Sequence, residues 1–209
     1  MKKKNPLLEL KRAGQSVWID YLSRDLIQSG ELKRLVEEDG LSGVTSNPTI
    51  FQKAIEGSGL YDGRLKKLMS RGVRAGRELY LGLTMEDVSD AADLLYPVYE
   101  STRGKDGFVS IEVSPDLAYN TGETVKEAAR LFTGIGRKNV LVKVPGTKQG
   151  LPAIEQLISI GANVNITLLF SVNRYKEVAD AQMGHGLYAI PPHPVRPGRA
   201  VARSPDLSR

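Results

Sequence analysis

The sequence contains no cysteine. A disulfide scaffold, a thiolate metal site and a thiol nucleophile are all excluded, and the absence suits a reducing cytosol. Both histidines, His185 and His193, fall in the last 28 residues. No run approaches the roughly 18 apolar residues of a membrane-spanning helix, so no membrane partner is expected. The N-terminal MKKKNPLLEL has the lysines of a signal peptide, but Glu9, Lys11 and Arg12 interrupt its apolar stretch, so none is expected. A broad basic face is lacking too. From Gln182 onward the chain holds four arginines and one aspartate, +3 of the net +5, which leaves +2 for residues 1–181. With no basic face interleaved with aromatics, a nucleic-acid partner is not expected.

What is present is ordinary globular material: 209 residues, 41% hydrophobic and 25% charged, enough for one large domain or two small ones. VWIDYL (17–22), LSGVTSNP (41–48), GFVSIEVS (107–114), NVLVKVP (139–145) and ANVNITLLF (162–170) read as strands. Helical spacing runs over 24–39, 123–134 and 149–160, and a further helix starts at Ser171, a plausible N-cap. Between the second and third strands the chain is mostly helical, and Thr84–Asp87 resembles a capping box opening a helix. Strands alternating with helices at this spacing predict right-handed βαβ units, an α/β fold and a parallel sheet of about five strands.

Side chains alternate between the two faces of a strand. Asp20 shares a face with Trp18, and Thr45 with Asn47. Ser110 and Glu112 oppose Val109, Ile111 and Val113, and Lys143 opposes Val140, Val142 and Val144. Asn165 and Thr167 oppose Val164 and Ile166. Each strand therefore has an aliphatic face and a face bearing a polar group. Parallel strands covered by helices are normally apolar on both faces. The exception is a barrel whose inner face carries a site near its C-terminal mouth, so Asp20, Asn47, Glu112, Lys143, Asn165 and Thr167 are expected to converge.

Burial strips an ammonium of solvation and favours the free amine. A free amine attacks a ketone to form a Schiff base, an electron sink that lets a neighbouring carbon–carbon bond break or form. Asp20 and Glu112 are the carboxylates available to move protons. Asn47, Asn165 and Thr167 suit substrate hydroxyls and a water. The plainer alternative is a bystander salt bridge between Lys143 and Glu112.

WIDYLSRDLI, GVTSNPTIF, GFVSIEVSPDLA, NVLVKVPGT and NITLLFS, in this order over about residues 5–181, together resemble the transaldolase family, in particular its bacterial and plant-type branch, which includes forms fused to glucose-6-phosphate isomerase. The resemblance implies a (β/α)8 TIM barrel that moves a dihydroxyacetone unit from sedoheptulose 7-phosphate to glyceraldehyde 3-phosphate in the pentose phosphate pathway, in the cytoplasm. It implies that Lys143 is the Schiff-base lysine, that Asp20 is an acid/base, and that Glu112 works through a water with Thr167. Asn47, Asn165 and Thr45 would bind the dihydroxyacetone part. No metal or organic cofactor is expected, and the partners are sugar-phosphate substrates.

The sequence departs from that family in reach. Five strands are countable where the barrel has eight, and the later strands bring the family's Ser and Arg for the substrate phosphate. Residues 1–181 are read as a partial barrel. Residues 182–209 hold five of the eleven prolines and are read as an unstructured Pro/Arg-rich tail unrelated to the family, with the texture of a shifted reading frame or a truncated gene. The family activity is expected in outline, impaired by truncation. The alternatives are a non-catalytic fragment or a simple lysine aldolase acting on a small sugar phosphate.

Overall fold

The computed structural model describes residues 5–184. Within them five strands form one parallel sheet in chain order, β1 (Trp18–Ile19), β2 (Gly43–Thr45), β3 (Phe108–Glu112), β4 (Val140–Pro145) and β5 (Val164–Thr167). This is the α/β arrangement expected. The chain divides into two compact units within β3, between Val109 and Ser110. The expectation of an unstructured tail lies, from residue 185 onward, outside the described residues.

In the first unit β1 pairs with β2 in parallel, Trp18 opposite Gly43. Around them lie α1 (Pro6–Arg12), α2 (Arg24–Gln28), α3 (Glu31–Glu38), α4 (Pro48–Glu56), α5 (Asp62–Ser70) and α6 (Gly76–Ser101). Leu22, Leu32, Val44, Phe51, Leu95 and Val109 are fully buried and form the core; each such side chain contributes about 1.5–3 kcal/mol by leaving water. Three local expectations are corrected here. The helix predicted over 24–39 is two helices, because Gly30 adopts a left-handed backbone (φ 79°) that breaks the ladder after Ser29. Thr84–Asp87 opens nothing: α6 starts at Gly76 and runs through it. Thr84 Oγ1 donates back to the Tyr80 carbonyl, and Asp87 is drawn to Arg24 and Tyr61 instead. The strand read over 41–48 covers only Gly43–Thr45, and Pro48 lies beyond it. The proline occupies the first turn of α4, where its missing N–H costs nothing.

In the second unit β4 pairs with β5 in parallel, and α7 (Thr121–Ile135), α8 (Gly150–Ser159) and α9 (Val172–Gly184) accompany them. The aliphatic face of β4 is fully buried at Val140, Val142 and Val144, with Ile111 and Val113 from the β3 side and Leu131, Ile154 and Leu157 from the helices. Ser171 caps α9 as expected, its Oγ accepting from the Arg174 N–H at 3.2 Å. That helix runs on through Gln182 and Met183 to Gly184, three residues into the stretch read as tail.

Candidate functional site

Of the polar residues singled out by strand parity, Glu112 and Thr167 end β3 and β5, Asp20 and Asn47 lie just past β1 and β2, and Lys143 and Asn165 stand within β4 and β5. In the second unit, Lys143 and Glu112 form an ion pair, Nζ to Oε2 at 3.4 Å, with 17% and 20% of their side chains exposed. Their strands are tied by the Val113 N–H donating to the Lys143 carbonyl at 3.2 Å. The same ladder sets Asn165 opposite Lys143 and Thr167 opposite Pro145. Asn165 Nδ2 donates to Ser110 Oγ at 3.1 Å. The structure thus brings Lys143, Glu112 and Asn165 into one cluster, in which one Asn165 amide N–H is given to Ser110. Ser110 was missed as a site residue. Its parity with Glu112 was the available signal, since a fully buried hydroxyl on the charged face of a strand needs a polar partner.

In the first unit, Asp20 follows β1 directly and accepts a hydrogen bond from Thr45 Oγ1. Asn47 lies two residues past β2. Its Oδ1 accepts from the N–H groups of Thr49 at 3.0 Å and Ile50 at 3.4 Å, so it is the N-cap of α4. The oxygen is occupied by the helix, which leaves the amide NH2 outside the cap.

The first unit also holds a buried network that the sequence did not announce. Tyr61 OH accepts from the Arg24 N–H and donates to Asp87 Oδ2, both at 2.9 Å. Asp87 Oδ1 accepts from Arg24 Nε at 2.8 Å and Nη2 at 2.6 Å, while Arg24 Nη2 also reaches Glu86 at 2.9 Å. The Arg24 guanidinium stands 4.7 Å from the Tyr61 ring centre. Burial raises the Asp87 carboxyl above its ordinary value despite the guanidinium and phenol that it accepts from. Burial likewise raises the Tyr61 hydroxyl, with the Asp87 charge adding to the shift. For Arg24, burial opposes the charge, but the bonds and charges of Asp87 and Glu86 outweigh it, so the guanidinium is held charged. A cavity of about 320 Å³ opens beside this network, lined by Tyr21, Ser23, Lys53, Ser58 and Tyr61 among others.

No helix among the described residues is long and apolar enough to cross a membrane. The family profile described as Transaldolase/Fructose-6-phosphate aldolase matches residues 17–202. "Transaldolase 2" of Nostoc punctiforme is 53% identical over 178 residues, covering 84% of this chain and 46% of that protein. "Transaldolase" of Trichodesmium erythraeum is 49% identical with the same coverage. "Transaldolase" of Thiobacillus denitrificans is 47% identical over 195 residues, 93% of this chain and 54% of its own. The chain spans about half the length of the curated relatives it matches.

Proposed function

The chain belongs to the transaldolase/fructose-6-phosphate aldolase family, and from that premise we propose that it carries the Schiff-base chemistry of a dihydroxyacetone transfer between sugar phosphates in the cytoplasm. Lys143, as the free amine, attacks the C2 carbonyl of a ketose phosphate such as sedoheptulose 7-phosphate; a carbinolamine forms and loses water to give the iminium. Asp20 takes the proton of the C4 hydroxyl as the C3–C4 bond breaks. The bonding pair moves into the iminium to give an enamine, and a four-carbon aldose phosphate leaves. The enamine then adds to the aldehyde carbon of glyceraldehyde 3-phosphate, the new alkoxide takes a proton from Asp20, and water releases the product from Lys143. Glu112, with Thr167, handles the water lost and regained. Asn47, Asn165 and Thr45 hold the hydroxyls of the three-carbon unit.

The observation that carries this reading is the Lys143–Glu112 pair: a strand lysine with a carboxylate 3.4 Å away has the proton partner that carbinolamine formation and collapse require. The test is borohydride reduction in the presence of fructose 6-phosphate, followed by peptide mass spectrometry. The expected result is one reduced adduct, on Lys143, absent in Lys143→Met. An adduct-free wild type that is folded by circular dichroism sinks the reading. It favours instead a non-catalytic fragment, a second reading supported by the half-length coverage of the relatives. Release of free dihydroxyacetone without an acceptor would identify a simple aldolase rather than a transferase.

A further inference from the structure

Two non-glycine residues among those described have a left-handed backbone, Arg103 (φ 55°) and Leu168 (φ 62°). Arg103 sits just past the C-terminus of α6, where such a conformation commonly ends a helix. Leu168 follows a strand. Its side chain cannot hydrogen-bond locally to offset the strain, as Asn or Asp does, and it is 56% exposed, so packing does not compensate either. Strain without local compensation clusters at working sites, and the residue before Leu168 is Thr167.

The turn at Leu168 has a definite result. The Thr167 carbonyl stays in the ladder, accepting from the Gly146 N–H at 2.8 Å. The next side chain, Leu169, then folds onto Gly146. A Cβ at 146 would lie 2.7 Å from Leu169 Cδ2 and 3.3 Å from the Thr167 oxygen. Gly146 is three residues beyond Lys143, in the loop leaving β4. The ends of β4 and β5 are therefore latched together just past the paired positions Lys143–Asn165 and Pro145–Thr167.

We infer that the left-handed backbone at Leu168, closed on Gly146, is a positioning device that fixes Thr167 relative to Lys143. Leu168 and Gly146 are positioning residues for the imine chemistry proposed above, and their role in catalysis rests on that reading. The hydrogen-bonded latch itself does not.

The test compares substitutions that differ in their tolerance of this conformation. Valine is β-branched and strongly disfavoured there; glycine and asparagine adopt it readily. Two readouts are taken on folded protein: hydrogen exchange of the Gly146 amide, and the rate of borohydride trapping on Lys143 with fructose 6-phosphate. Leu168→Val is expected to speed the exchange and slow the trapping by about tenfold each, while Leu168→Gly and Leu168→Asn stay within about threefold of wild type. Gly146→Ala, which displaces Leu169 from the same contact, is the second route should the valine variant not fold. In a Thr167→Val background Leu168→Val should add no further slowing, because its effect passes through Thr167. Wild-type trapping by Leu168→Val, equal slowing in both backgrounds, or unchanged Gly146 exchange overturns the inference. If the wild type forms no adduct, the imine reading falls, and the exchange comparison of the valine and glycine variants alone decides the latch.

Discussion

Tyr61→Phe removes a single oxygen from among side chains that are almost wholly buried. Tyr61 is 1% exposed and Asp87 0%, and the hydroxyl both accepts from the Arg24 N–H and donates to the Asp87 carboxylate. The phenyl ring keeps its shape and its place against the guanidinium, so no cavity larger than an oxygen forms. Two groups lose a partner. A buried backbone N–H left unpaired costs about 1–3 kcal/mol, and a hydrogen bond to a charged group is worth about 1.5–3 kcal/mol. Asp87 retains Arg24, which limits the damage to the lower half of that range, about 3 kcal/mol. With a urea m-value of about 1–3 kcal/mol per molar, the midpoint should fall by about 1 M or more at unchanged m. Tyr119→Phe, at a residue 77% exposed, is the reference and should stay within about 0.5 kcal/mol. A fall in the Tyr61→Phe midpoint no larger than that of Tyr119→Phe would refute the argument that this buried network depends on the hydroxyl. A pH arm adds a sign. The buried hydroxyl titrates above its value in the unfolded chain, so the unfolded state loses its proton first. The contribution is complete below about pH 10 and declines as pH rises beyond it. The stability gap between wild type and Tyr61→Phe should therefore narrow in alkali.

Gly107→Ala should abolish soluble expression or destabilise by more than about 3 kcal/mol, since the backbone there is left-handed (φ 83°) and a Cβ would strike the Tyr99 backbone and lie 2.9 Å from the Leu95 carbonyl oxygen; a folded Gly107→Ala with a native melting curve contradicts this. Ser16→Ala strips Asp106 of a donor at 2.7 Å and the Trp18 indole N–H of an acceptor at 2.8 Å. It should cost about 1.5–3 kcal/mol, and the protein's one tryptophan reports it by fluorescence-detected unfolding. Phe170→Lys, at a side chain 85% exposed beside the β5 edge, should reduce light scattering at high protein concentration while shifting stability by less than about 0.5 kcal/mol.

The sheet was legible because its strands are short, aliphatic on one face and punctuated by glycine and proline. The pairing of Lys143 with Glu112 was legible from the same alternation. The helical region between β2 and β3 was read less well. A four-residue capping pattern at Thr84 is local information, and it lost to long-range partners: Asp87 meets Arg24 and Tyr61, 63 and 26 residues away. The break at Gly30 failed for a different reason. Leu26, Leu32, Leu35 and Val36 keep helical spacing across it, because two short helices covering one core preserve the apolar stripe of a long one. Strand ends were overestimated at β1, where six residues were read and two pair, since burial continues past the last ladder hydrogen bond.

Asn47 starts a helix with the same side chain that is proposed to grip a sugar. On that proposal, selection at this position acts on two traits at once. Aspartate, serine and threonine can replace the capping oxygen, yet none brings an amide donor. A saturation library at 47 screened only for solubility should return that small capping set whatever ketose is supplied. Evolution of a new sugar preference through this residue is thereby confined to a handful of neighbours in sequence space.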